Sequence, residues 1–166
     1  MPLPLGHTAI GLAIYEAGSS NSAFHRWGVF LFVVFLANLP DLDVLAGLIA
    51  NGNGSTFHHG FSHSLIFASF MGFLASNAWR LWSRIPRLGF TSCSLVILSH
   101  VLADYFLSDS PVSIFWPFQV GWSSGDHGWR NVLEVIFFQE ARDIGILVGG
   151  IAAIVLIRLI KARLKE

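Results

Sequence analysis

The sequence predicts an all-α membrane protein, a polytopic helical bundle of four to five transmembrane helices, and three observations carry that prediction. Hydrophobic residues make up 54% of the 166 and charged residues only 12%, with a mean hydropathy of +0.62, whereas a soluble domain is usually about 25% charged. Uncharged stretches recur at residues 27–40, 64–79, 88–103 and 144–157, with a shorter one at 5–15. Basic residues collect between and after them: Arg80, Arg84 and Arg87 follow the 64–79 stretch, and Arg158, Lys161, Arg163 and Lys165 close the chain. A hydrocarbon core about 30 Å thick takes roughly 20 helical residues per crossing, so each stretch must continue through the polar residues at one of its ends. That leaves a single membrane-embedded domain over residues 1–166 and no room for a separate soluble unit.

The elements take their directions from the positive-inside tendency, which puts both basic groups in the cytoplasm. The leading segment, 5–17, is joined to the next by Gly18-Ser19-Ser20-Asn21. It packs antiparallel to that neighbour and starts at the outer side, as a tilted span or a half-inserted helix. The stretch from Trp27 runs outward from Arg26, that from Ser64 inward, that from Leu88 outward and that from Ile144 inward. Residues 108–142 mix Pro111, Trp116, Pro117, Trp122 and Trp129 with several glycines. Pro and Gly punctuate helices and Trp favours the membrane interface, which predicts an outer loop with a short amphipathic helix near 131–139. Residues 1–5 carry no Lys or Arg, against a cleavable signal peptide. Ten basic and ten acidic residues balance, which gives no bulk charge for nucleic acid. The lone Cys93 allows neither an internal disulfide nor a thiolate metal cage.

Followed in these directions, the ionisable residues gather at one depth. Asp41 lies 15 residues past Arg26, with Asp43 just beyond, about 22 Å along a helix at 1.5 Å per residue. His100 and Asp104 lie 13 and 17 residues past Arg87 and reach a comparable height. His58, His59 and His63 occupy the outer link before the Ser64 stretch, and His7 begins the leading helix. His100 and Asp104 form an i,i+4 pair on one helix face. Pro40 removes a backbone donor between Asn38 and the alternating carboxylates Asp41 and Asp43 and can kink the helix there. Gly60 lets the chain turn and return a second imidazole, and Gly6 and Gly11 beside His7 allow close helix approach.

Imidazole and carboxylate together suit zinc, and also manganese or ferrous iron. The donors outnumber the needs of one tetrahedral ion, so either two ions bridged by a carboxylate or one ion with its ligands oriented by further His and Asp would account for them. Such a centre acidifies water and polarises ester or phosphoryl oxygens, which makes hydrolysis the natural reaction class. The plainer reading, Asp neutral or paired with His to satisfy helix packing, suits a single residue better than four clusters buried together. His25 beside Arg26 reads as an interfacial residue, Asp126-His127 as loop residues that could contact a ligand, and Arg130 with Glu134 as a loop pair.

Four ordered motifs resemble the YdjM-like family of LexA-regulated, membrane-bound predicted metal-dependent hydrolases. They are Gly6-His7-Thr8-Ala9-Ile10-Gly11, Pro40-Asp41-Leu42-Asp43, His58-His59-Gly60-Phe61-Ser62-His63-Ser64, and Ser99-His100 through Asp104 followed by Phe115-Trp116-Pro117-Phe118. The resemblance implies His7, Asp41, Asp43, His58, His63, His100 and Asp104 as the metal-site positions. The sequence carries His59 where the family commonly has arginine after the first histidine, and Ser62 where threonine is usual. The first change removes a fixed cation that would hold a phosphate, and leaves His59, when protonated, as a general acid. Ser110-Pro111-Val112-Ser113 stands where the family tends to have Thr-Pro-x-Gly.

The expectation is therefore a multi-pass protein of the bacterial inner membrane with a divalent ion, zinc before manganese or iron, in the outer half of its bundle. It would hydrolyse an ester or phosphoester of a lipid or amphiphile, with His59 catalytic, the bilayer and that substrate as partners, no nucleic acid, and an oligomeric state the sequence does not set. A non-catalytic metal-binding or regulatory protein is the main rival. A haem bundle using His63 and His100 as axial ligands is disfavoured by the neighbouring carboxylates, and ion transport by the apolar inner halves of the spans.

Overall fold

The computed structural model describes residues 4–19, 22–53, 57–108, 111–118 and 129–164, with 129–143 described by backbone alone. Its helices are α1 (Pro4–Gly18), α2 (Trp27–Ala37), α3 (Leu42–Asn51), α4 (Leu65–Asn77), α5 (Phe90–Leu107) and α6 (Trp129–Arg163).

Local chemistry places the helix ends that matter. Helix α2 is apolar throughout and stops just before Pro40, which lacks an N–H and disfavours helical backbone in the residue before it. At the break the Asn38 amide donates to the Val34 carbonyl (2.8 Å) and to Thr8 Oγ1 on α1 (2.9 Å). The chain restarts as α3 after a 55° bend. Gly52, at φ +65°, ends α3 in the left-handed conformation, its N–H on the Leu48 carbonyl, a common glycine stop. Ser64 caps α4: its hydroxyl accepts from Phe67 N–H at 3.1 Å and donates to the Phe61 carbonyl at 2.7 Å.

Helix α1 packs against α2, α5 and α6, while α5 packs against α1, α2 and α4. The core between them is Leu12, Val33, Leu36, Val96 and Ile97, all buried. Lipids are as apolar as this core, so close backbone approach rather than water exclusion holds such helices together. Small residues supply it: a Cβ at Gly72 of α4 would lie 2.8 Å from Ser94 Cα on α5, and one at Gly150 of α6 would lie 2.7 Å from Ala9 Cβ on α1. Leu31, Phe35, Phe70, Phe73, Ile151 and Leu159 face outward, as lipid contact requires.

The all-helical membrane architecture matches the sequence expectation. Helix α5 and residues 144–163 of α6 are each long and apolar enough to cross a bilayer, and α2 with α3 makes a third crossing if the bent pair is one span. Helices α1 and α4, of 15 and 13 residues, cover only about 22 and 20 Å, short of a hydrocarbon core of about 30 Å.

One element differs from the expectation. Instead of an outer loop with a short helix at 131–139, a single helix of 35 residues runs unbroken from Trp129 to Arg163. That segment holds no proline, and Glu140 and Arg142 are good helix formers, so the charges that interrupt its hydropathy do not interrupt its backbone. Asp126 and His127 lie outside the described residues, as do the side chains of Arg130 and Glu134.

The two ends of the bundle differ in charge. At one end Arg26 and Arg87 share a groove with Tyr15, Gly18 and Ser22. There Glu16, only 3% exposed, accepts from Ser22 Oγ (2.9 Å) and Ala23 N–H (2.8 Å) and faces Arg158 Nε at 3.5 Å. Lys161 donates to the Glu16 and Ser19 carbonyls at the close of α1. The start of α1, the end of α2 and the end of α5 lie at the opposite, histidine- and aspartate-bearing end.

Candidate metal centre

Each chain segment delivers its polar residues to that end for a local reason. The break after α2 turns Asp41 and Asp43 inward, a 3₁₀ turn at Phe61–His63 brings His63 back beneath His58 and His59, and the last turns of α5 present His100 and Asp104 on one face. His7 enters from the first turns of α1. His7, His63, His100 and Asp104 are at most 1% exposed.

Four of these residues converge on one point. His63 Nε2 and His100 Nε2 lie 3.1 and 3.2 Å from Asp104 Oδ2, 3.7 and 3.3 Å from Asp41 Oδ1, and 3.3 Å from each other. Ligands about 2.0–2.1 Å from a tetrahedral zinc stand about 3.3–3.4 Å apart, so these five distances are compatible with four ligands around one ion. Asp41, His63, His100 and Asp104 are thus a group that could hold a metal ion. The donor chemistry agrees: two carboxylates bring two negative charges to one buried point, a costly arrangement without a cation. Asp41 Oδ1, both Asp104 oxygens, His59 Nε2 and both His7 nitrogens are buried with no hydrogen-bond partner, and all of these but His7 Nδ1 lie within 4 Å of another member of this cluster.

The far nitrogens of both central imidazoles are held. His100 Nδ1 meets the Ala37 carbonyl at 2.7 Å; a carbonyl only accepts, so Nδ1 carries a proton and Nε2 is the nitrogen left to face the centre. His63 Nδ1 lies 3.3 Å from Asp43 Oδ2 and 3.0 Å from Ser62 Oγ, and Ser62 donates to Asp43 in turn. Asp43 also meets His58 Nδ1 at 3.0 Å. A carboxylate behind a histidine fixes its tautomer and raises its basicity toward a metal.

His7 stacks on His100, ring centroids 3.7 Å apart, with its Nε2 3.5 Å from Asp104 Oδ1. His59 Nε2 lies 3.9 Å from Asp104 Oδ2, and its backbone adopts φ +64°, in the left-handed region that non-glycine residues rarely occupy. Two groups in the link between α3 and α4 show the local field. Burial lowers the His59 pKa to about 4, aided by the neighbouring His58 and His63. Burial would also lower that of His63, but Asp104, Asp41 and Asp43 outweigh it and raise it to about 10. The three carboxylates around His63 favour positive charge at this point.

All eight residues singled out in the sequence therefore meet at one end of the bundle, but not equivalently. Asp41, His63, His100 and Asp104 form the inner set; Asp43 stands behind His63, His58 behind Asp43, and His7 and His59 against Asp104. A second and third group, Asp41 with Asp43 and His58, and His58 with His59 and His63, are also close enough to share an ion. Sequence reasoning missed the Ala37 carbonyl, which carries no side-chain signal, and the Ser62 hydroxyl. Ser62 was visible only as a substitution for threonine, which supplies the same hydroxyl.

No solved structure matches this chain. The inner membrane protein YbcI of Escherichia coli (strain K12) is 35% identical over 124 residues, covering 70% of this chain and 68% of that protein. The family described as YdjM inner membrane protein matches residues 1–165. With nearly its whole length matched, this chain belongs to the YdjM inner membrane protein family.

Proposed function

We propose that this protein is an inner-membrane, metal-dependent hydrolase acting on an ester or phosphoester of a lipid or amphiphile at the outer face of the membrane. The observation that carries this reading is the convergence of Asp41, His63, His100 and Asp104 at the spacing of a coordination shell. These four hold a divalent ion, zinc first for its fit to two imidazoles and two carboxylates, with manganese and ferrous iron next. Bound there, such an ion supplies Lewis-acid polarisation of an ester or phosphoryl oxygen and lowers the pKa of water. His59 is the proton-handling group: its buried Nε2 has no hydrogen-bond partner and lies 3.9 Å from Asp104 Oδ2, at the edge of the inner set. Access is from the side of Asp41 and His58, whose side chains are 19% and 12% exposed while those behind them are closed. The exposed Phe57, Phe61 and Trp116 beside that side suit an amphiphilic substrate, and Phe61 packs edge-on against Trp116 at 4.8 Å.

The near-complete burial of His63, His100 and Asp104 favours one alternative, an ion that braces the bundle without turnover. Elemental analysis of the detergent-purified protein, followed by assay against carboxyl-ester and phosphoester lipids with and without chelator, separates the two. Bound divalent metal with chelator-sensitive turnover is the expected result. Bound metal without turnover across the panel assigns the bracing role, and a metal-free wild type purified without chelator removes both.

A further inference from the structure

At the basic end of the bundle, far from the metal centre, the structure forms a groove of about 420 Å³ lined by Arg26, Gly28, Val29, Ser83, Arg84 and Arg87. It adjoins a second cavity of about 260 Å³ that shares Arg26, Val29 and Arg87 and adds the hydroxyl-bearing Ser22 and Ser92. Three guanidinium-bearing residues from two separate chain segments, the entry to α2 and the α4–α5 link, thus border one depression. None of the three forms an ion pair with a carboxylate among the described residues, whereas Arg158 at the same end has Glu16. The Arg87 guanidinium is held in place over the Trp79 ring, 3.8 Å from its centroid, so part of the ordering cost of binding is already met.

Like charges gathered without acidic partners repel one another and call for an anion. Helices α2 and α5 also begin here, and neither start has a side-chain cap, so their N-terminal partial positive charges add to the same field. The surroundings are apolar: Trp27, Leu81 and Trp82, which flank the lining residues in sequence, are 76%, 92% and 59% exposed. Fork-shaped arginines match phosphate oxygens in pairs, and basic pockets between helices on the cytoplasmic side suit anionic headgroups.

We propose that this groove binds a phosphate group, carried by the headgroup of an anionic phospholipid of the cytoplasmic leaflet, with Arg26, Arg84 and Arg87 as its ligands. The flanking Trp27, Leu81 and Trp82 meet the glycerol and acyl region of the same lipid. The site is separate from the metal centre and stands or falls independently of it.

The test uses the full chain in neutral detergent, presented in parallel with dioleoyl phosphatidylglycerol, dioleoyl phosphatidylcholine and inorganic phosphate. Binding is read by native mass spectrometry and by the thermal unfolding midpoint. Phosphatidylglycerol is expected to be retained and to raise the midpoint, phosphatidylcholine to do neither, and replacement of arginine by glutamine at 26, 84 and 87 to weaken retention roughly fivefold per residue. Arg80→Gln, outside the groove, keeps wild-type retention. An arginine-dependent shift with inorganic phosphate alone supports the phosphate site and assigns it to a soluble anion instead of a lipid. Equal retention of both lipids, undiminished retention in the variants, or an equal loss in Arg80→Gln overturns the proposal. The single Arg84→Gln change, on the exposed link, keeps the test decisive where the triple variant fails to fold.

Discussion

The imidazole of His100 is pinned at its outer nitrogen by the backbone carbonyl of Ala37, 2.7 Å away. Ala37 is the last residue of α2, and the final carbonyls of a helix have no intrahelical donor. The break that lets Asp41 turn into the bundle therefore also frees the acceptor that orients the histidine opposite it. One event in the backbone serves two members of the candidate centre.

Removing either imidazole of the inner set should abolish metal binding. His63→Ala and His100→Ala are expected to lose more than the about 10–100-fold in affinity that loss of an orienting partner costs. Elemental analysis after equilibration at limiting metal reads this directly, and wild-type metal content in both variants would contradict the ligand assignment.

The residues behind His63 should grade the effect. Asp43→Asn is expected to weaken metal affinity by about 10–100-fold while leaving all four inner ligands in place. Ser62→Ala weakens it less, and Ser62→Thr, which keeps the hydroxyl, leaves it unchanged. Titration with a competing chelator ranks the three, and the order Ser62→Ala below Asp43→Asn would reverse the roles given to them.

Metal affinity should rise with pH. Carboxylates hold the His63 pKa at about 10, so at neutral pH a proton occupies the nitrogen that an ion requires and must leave when the ion arrives. Each proton displaced changes apparent affinity about tenfold per pH unit, so affinity falls as the solution is acidified. Isothermal titration in buffers of different ionisation enthalpy counts the protons released, and a count of zero would contradict the competition.

His59→Gly separates catalysis from folding. Glycine adopts φ near +64° without the roughly 1–2 kcal/mol that a side chain costs in the left-handed region, so the variant is expected to fold at least as well as wild type and to retain metal. Turnover of whichever ester the wild type cleaves should drop by about 10²–10⁴-fold, the usual worth of a positioned acid–base group. Unchanged turnover would remove His59 from the reaction.

Helix packing gives a test that no local site can mimic. Gly72→Val places a side chain against Ser94, where even a Cβ would be 2.8 Å from Cα, and the cost of such overpacking is about 1–3 kcal/mol. Gly89→Ala, with nothing within 4 Å of its added Cβ, serves as the control. Thermal unfolding in detergent is expected to fall for the first and stay unchanged for the second.

Composition and spacing were enough to read the all-helical membrane character, the basic and histidine-bearing ends, and the gathering of eight ionisable residues at one level. These are properties of single segments: hydropathy is summed along a helix, and 1.5 Å per residue sets depth wherever the helix packs. The i,i+4 relation of His100 and Asp104 was legible for the same reason. Helix α6 was misjudged because charges lower hydropathy without breaking backbone hydrogen bonds.

What depth could not supply is azimuth, the direction each side chain takes around its axis once helices are in contact. The 55° bend after α2, the tight turn that carries His63 past His58, and the contact of Gly72 with Ser94 together select Asp41, His63, His100 and Asp104 from the larger set. They also relegate Asp43 and Ser62 to holding His63. Selection of this kind depends on distances between residues dozens of positions apart, and those exist only after the helices have packed.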